Sequence, residues 1–285
     1  MEKKKIDHLL FLLSDPDPEV TPFILKELEK LDADALPLLE DALFQFPDSS
    51  DQLQNIIRNI KNRSVFQRIE HWLNKPNDLM EILFLICQLD YPKLSFDELK
   101  KEVDRLIREI WLEMNDNLTA LEKVSLINHI LFQKHQFKVM GWISRTTDSY
   151  MLNFLLKKKV GSGLLITILY LYIAKELKLE IFGIGVPEYN LLAFYDKTGI
   201  YEKIDPNRSP ILFFINPSHE GSVTGRQEIE FLLSEKGYRP QSNYFEPVTE
   251  QYYLKKLITE LKYCYELDQN SIKADSLGRL LQLFK

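Results

Sequence analysis

The stretch VGSGLLITILYLYIAKELKL, residues 160–179, reads as a glycine turn leading into a helix that is apolar on every face. Such a helix belongs inside a protein rather than on its surface. The start of a buried helix suits a thiolate nucleophile, because the orphan N–H groups and the positive end of the helix dipole lower a cysteine pKa. No cysteine stands there. The turn carries Gly161, Ser162 and Gly163 instead. Ser162 offers a hydroxyl, but an alcohol without a base is a feeble nucleophile, and its type and place fit a helix N-cap. Thr167, one turn further in, is expected to bond back to a backbone carbonyl.

Two later stretches carry further candidates. VPEYN (186–190) presents Glu188, Tyr189 and Asn190, and INPSHEG (215–221) presents Asn216 and His219. Tyrosine, asparagine and glutamate can hydrogen-bond a sugar or peptide and do limited acid–base work. His219, beside Glu220 and Gly221, reads as a solvated loop histidine, and His129 and His135 as packing or surface residues. Asp205 of KIDPN is a candidate acid that lacks a partner in the sequence. Asp15, Asp17 and Glu19 of SDPDPEV have metal-ligand chemistry, yet nothing nearby completes a set, and helix capping explains them more simply. There is no phosphate loop, no GxGxxG and no metal-spaced cysteine or histidine cluster, so neither a cofactor nor a metal is expected.

The elements that must position these residues fall into three segments. Residues 1–75 read as helices, with Ile6, Leu9, Leu10 and Leu13 on one face of the first and Phe23, Ile24, Leu28 and Leu31 on one face of the second. Paired amphipathic helices joined by Asp-Pro turns resemble HEAT-type repeats. From about Asp78 further helices follow, among them SFDELKKEVDRLIREIWLEM, with Ser95 as cap and Glu98 at capping-box spacing. After the buried helix the period changes to two. Phe182, Ile184 and Val186, then NLLAFYD, YEKIDP and PILFFINP, predict strands of an antiparallel sheet, with Lys197-Thr198-Gly199 as a hairpin loop. GRQEIEFLLSEKG predicts a short helix. The tail from 238 to 285 predicts two antiparallel helices around LDQN that resemble a tetratricopeptide-type hairpin. The segments are therefore 1–75, 76–237 and 238–285, and the fold class is α+β, mostly helical.

Composition narrows the function. The chain has 285 residues and a formal net charge of −6. A nucleic-acid partner is not expected, because Lys3–Lys5 and Lys157–Lys159 are short runs that read as solvated helix ends. The first twenty residues are interrupted by Asp7 and His8 and followed by acidic DPDPE, which does not make a signal peptide. The longest apolar run, LLITILYLYIA, is too short to span a bilayer. Cys87 and Cys264 lie in the apolar stretches LFLICQL and ELKYCYEL and suit small core residues in a reducing compartment. A cytoplasmic protein with no membrane partner is expected.

Three segments in order resemble the SirB-type branch of the transglutaminase-like superfamily: EIWLEMNDNLTALEKVSLINHILF, GSGLLITILYLYIAKELKLEIFGIGVPEYNLLAF and ILFFINPSHEG. The resemblance runs from about Asp78 to the C-terminus. It implies a papain-like core, in which a central buried helix packs on a small antiparallel sheet, followed by tetratricopeptide-like helices. Active members use a cysteine at the helix start, a histidine on the next strand and an aspartate or asparagine on the one after. Carried over, these positions fall on Gly163, on Tyr189 (the family's P-x-H histidine) and on Asn216. Glycine cannot attack a carbonyl, and a tyrosine with a pKa of about 10 is a poor base at neutral pH.

The resemblance thus implies a catalytically inactive domain that binds a protein or peptide partner. The alternative is an enzyme of changed chemistry, a hydrolase or transferase acting on peptide or sugar, with Tyr189 and Asn216 central to a polar cleft that Ser162, Glu188, Asn190 and His219 help to line. A deep polar cavity at Gly163 would favour the enzyme, and a cleft plugged by Tyr189 would favour the binding module. A third possibility is a structural protein whose cleft has no role.

Overall fold

Prolines and capping residues divide the helices. A computed structural model describes residues 2–13, 19–141, 145–196 and 209–284. Asp15, Asp17, Asp205, the expected YEKIDP strand and the Lys197–Gly199 loop lie outside the described residues. The chain divides into two compact units, one of residues 1–75 with 85–93 and the other of 76–84 with 94–285.

The first unit holds α1 (Glu2–Leu13), α2 (Thr21–Glu29), α3 (Leu36–Gln45) and α4 (Ser50–Asn74). Pro22 and Pro37 sit in the first turns of α2 and α3, where a missing N–H costs nothing. Ile6, Leu10, Ile24, Leu28, Leu39, Leu53 and Ile60 form one core. The apolar face expected on α2 is buried except for Phe23, which is 66% exposed.

Both units share α5 (Leu79–Gln88). The second unit continues with α6 (Phe96–Glu113), capped by Ser95, whose Oγ accepts the Glu98 N–H at 3.5 Å. A full capping box between Thr119 and Glu122 opens α7 (Ala120–Asn128). The strands β1 (Lys138–Val139) and β2 (Val160–Gly161) pair in parallel, with α8 (Leu152–Lys158) between them in sequence.

The helix apolar on every face is α9 (Gly163–Glu176), and every residue from Gly163 to Ala174 is buried. Five strands follow: β3 (Ile181–Ile184), β4 (Leu192–Tyr195), β5 (Ile211–Asn216), β6 (Ser222–Thr224) and β7 (Pro247–Val248). They form one antiparallel sheet in the order β6-β5-β4-β3-β7. The register sets Leu192 opposite Ile215 and Asn216 opposite Ser222. The β3–β4 and β5–β6 connections therefore emerge at the same end of the sheet, the geometric condition for a site built from both. One face of the sheet, with Ile184, Ala193 and Phe214, packs on Ile229 and Leu233 of α10 (Arg226–Glu235). The chain is thus α+β, mostly helical with a small antiparallel sheet, as expected.

The C-terminal pair α11 (Glu250–Leu267) and α12 (Ser271–Leu281) forms the expected hairpin and belongs to the second unit. Its first helix carries Tyr253, whose ring lies so close to β3 that a Cβ on Gly183 would stand 2.2 Å from Cε2. The Tyr253 hydroxyl accepts the Ile184 N–H at 3.1 Å and donates to the Leu191 carbonyl at 2.6 Å. Among the described residues no helix is long and apolar enough to cross a membrane.

Burial holds the phenols of Tyr170 and Tyr253 well above the usual tyrosine range. A raised folded-state pKa means that the unfolded chain releases these protons first. Stability from this source is intact below about pH 10 and falls above it by about 1.4 kcal/mol per pH unit for each tyrosine. Urea midpoints measured from about pH 8 to about pH 11 should show this fall. Tyr253→Phe should lower stability at neutral pH by about 0.5–1.5 kcal/mol, because the Ile184 N–H and the Leu191 carbonyl, which also bond each other at 3.2 Å, lose their second partner, and should make the alkaline fall shallower. An unchanged alkaline slope would mean that Tyr253 does not contribute to it.

Candidate functional site

The site is assembled where the start of α9 meets the end of the sheet that carries both connections. Ser162 caps the helix: its Oγ accepts the Leu165 N–H at 3.1 Å, and its own N–H donates to the Ser149 carbonyl at 2.7 Å. It is 1% exposed. Thr167 bonds back as expected, donating to the Gly163 carbonyl at 2.8 Å, with the Asn190 carbonyl 3.3 Å away.

Gly163 faces the turn that follows β5. A Cβ built on it would lie 2.4 Å from Ser218 Oγ and 2.9 Å from Ser218 Cβ. Its φ is not in the left-handed region, so glycine is required here by close approach and not by backbone conformation. The Ser218 turn is fixed on both sides. Asn216 Oδ1 accepts the Ser218 N–H at 3.1 Å. Gly221, at φ +72°, packs against Asn128, whose Nδ2 donates to the Gly221 carbonyl at 2.8 Å and whose Oδ1 accepts from the Tyr170 hydroxyl at 3.1 Å.

The connection between β3 and β4 is fixed just as closely. Lys256 of α11 donates to Asn190 Oδ1 at 2.7 Å and to the Tyr189 carbonyl at 3.4 Å, while Tyr253 takes the Leu191 carbonyl. Burial pulls the Lys256 ammonium below the usual lysine range, and the nearby Glu260 and Glu188 oppose that pull. Glu188, at φ +64°, accepts from the Tyr238 hydroxyl at 3.1 Å.

Tyr189, Asn216 and His219 come together on the wall of a pocket of about 350 Å³, beside Ser222, Thr224 and Glu228. Gly163 and Ser162 are buried and are not part of that wall, and neither are Glu188 and Asn190. The space at Gly163 is therefore neither an open polar cavity nor plugged by Tyr189; Ser218 fills it. His219, expected in solvent, is exposed but bonded, with Nδ1 3.0 Å from Asn216 Nδ2.

That last contact decides what the histidine can do. Asn216 Oδ1 is taken by the Ser218 N–H, so the amide presents only its NH₂ to His219. Nδ1 must accept, and the ring hydrogen then sits on Nε2. A histidine base oriented by an asparagine needs the opposite arrangement, with the hydrogen on the nitrogen facing the asparagine oxygen. With the amide turned this way, the pair does not make the triad hydrogen bond in which the asparagine oxygen accepts from the ring.

Sequence reasoning missed Ser218 and Lys256. Asn-Pro-Ser signals a turn, but nothing local shows that the turn will press on a glycine 55 positions earlier. Thr224, which donates to Glu228 Oε2, carries a readable signal, the i, i+4 spacing at a helix start. Among the described residues no group of three or more histidine, cysteine, aspartate or glutamate side chains could hold a metal ion.

A family model described as transglutaminase-like superfamily matches residues 97–259, which include α9, β3 to β7 and every residue of this site. No curated protein and no solved structure matches the chain.

The Ser218 contact sets the sign of a substitution. Alanine in place of a helical glycine normally gains about 0.5–1 kcal/mol, whereas overfilling a packed site costs about 1–3 kcal/mol. Gly163→Ala should therefore lower the urea-unfolding free energy. In a chain that also carries Ser218→Gly, the same change should be neutral or stabilising. Equal effects in the two backgrounds would show that Ser218 does not limit position 163.

Proposed function

For this chain, which belongs to the transglutaminase-like superfamily, we propose a SirB-type member that has lost catalysis and acts in the cytoplasm by binding a protein or peptide. One observation supports the reading: at Gly163, the position that the resemblance assigns to the nucleophile, the space a side chain would need is occupied by Ser218. Tyr189 at the histidine position offers no base, and Asn216 spends its oxygen on a turn. Neither cofactor nor metal enters the proposal, and the net charge of −6 argues against a nucleic-acid partner.

The proposed organisation assigns 1–75 to a HEAT-like segment, 76–237 to the transglutaminase-like core and 238–285 to a tetratricopeptide-like hairpin. Segments of the first and third kind commonly present peptide-binding surfaces. The rival reading, an enzyme working from a polar cleft around Tyr189 and Asn216, draws on the contact between Asn216 and His219. The tautomer that this contact requires stands against it.

Two measurements test the reading. The purified protein should neither hydrolyse nor transamidate a panel of peptide amides; turnover abolished by Asn216→Ala or Tyr189→Phe would overturn the proposal. In the second, Gly163→Cys combined with Ser218→Gly should place a thiol at the helix start, with a pKa lowered from about 8.5 to about 4–7. It should react with iodoacetamide at about pH 6.5 much faster than Cys87 and Cys264, which are buried. Adding Tyr189→His should speed it further, because an imidazolium stabilises a thiolate. A folded variant whose new thiol titrates like free cysteine would break the assignment of Gly163 to the nucleophile position.

A further inference from the structure

We infer that the pocket at the end of the sheet receives a single basic side chain, lysine or arginine, from a partner peptide. The inference rests on the binding reading above and adds the chemistry of what is bound. At about 350 Å³ the pocket lies at the small end of ligand sites, the size for one side chain and not for a folded element.

Its lining has two chemistries. Leu191, Ile229 and Leu232 supply apolar surface, and Glu228 supplies the one carboxylate among the lining residues, with no lysine or arginine beside it. Glu228 Oε2 accepts from Thr224, and Oε1 has no hydrogen-bond or ion-pair partner among the described residues. An aliphatic stem ending in a cation matches that pairing: the stem covers the leucines and isoleucine, and the head reaches an open carboxylate oxygen. An anionic group would meet Glu228 with no lysine or arginine on the wall to offset it.

Nearby cations do not already neutralise the carboxylate. Arg226, two positions earlier, pairs with Glu230 at 2.7 Å and lies over the Phe245 ring, 4.3 Å from its centre. Lys236 lies 5.1 Å from the centre of the Tyr189 ring. That ring therefore already attracts a cation within the protein, and Lys236 would compete with an incoming one.

Selection of a displayed random-peptide library on the full chain tests this directly. Enriched peptides should share a lysine or arginine, and replacing that residue by norleucine should weaken binding about two- to fivefold, the loss expected for an ion pair at the solvent-exposed Glu228. Glu228→Gln should weaken the basic peptide by a similar factor and leave the norleucine peptide unchanged, whereas Lys236→Met should tighten the basic peptide. Comparing lysine and arginine versions of one enriched peptide distinguishes ammonium from guanidinium. Peptides that lose binding on Leu232→Arg yet need no basic residue and ignore Glu228→Gln would overturn the inference while leaving the binding reading intact. A selection that enriches nothing above background would count against both.

Discussion

The contact between Gly163 and Ser218 is the constraint on which the site depends. The first turn of a buried helix and the turn after β5 approach so closely that no Cβ fits between them. The approach is enforced from several directions. Asn216 holds the Ser218 N–H, Asn128 and the buried Tyr170 hold the Gly221 end, and Ser162 caps the helix while bonded to Ser149. A nucleophile at a helix start must be both present and reachable. Under the proposed assignment of Gly163 to the nucleophile position, glycine removes the first condition and packing the second, so a sulfur atom alone would not restore a site.

The same economy governs the other connection. Three consecutive residues, Tyr189, Asn190 and Leu191, give up oxygen atoms to side chains of α9 or α11: Lys256 takes two, Thr167 approaches one and Tyr253 takes one. A loop anchored in this way is pre-organised, and pre-organisation lowers the entropic cost of binding. It also explains why Lys256 is half-buried despite its charge. Its hydrogen bonds and the neighbouring Glu260 and Glu188 offset part of the desolvation that pulls its pKa down.

Much of this fold is legible in the sequence, and the reasons are local. An eleven-residue apolar run with no polar face can only be a buried helix, and every residue from Gly163 to Ala174 is buried. Ser162 before that run reads as a cap, Thr167 reads as a back-bonding residue, and the shift to period two after Leu179 announces a sheet; each holds in the structure. Phe23 fails because helical period marks a face without marking where that face ends. The contacts that close the site are illegible for a different reason. Ser218 against Gly163, Lys256 on Asn190 and Tyr253 on Gly183 each join residues more than fifty positions apart, and no propensity or spacing rule encodes a pairing of that range.

His219 shows how one backbone contact can reverse a functional reading. By residue type, an asparagine at the end of β5 and a histidine three positions later in the turn after it could form the orienting half of a hydrolytic triad. The amide of Asn216 could serve that role only by turning its oxygen to the ring. The Ser218 N–H holds that oxygen, and the same Ser218 side chain is seated against Gly163. The crowding of Gly163 and the orientation of the Asn216 amide thus meet at one turn, through Ser218. What stands on the pocket wall is a set of hydrogen-bonding groups around one carboxylate, Glu228.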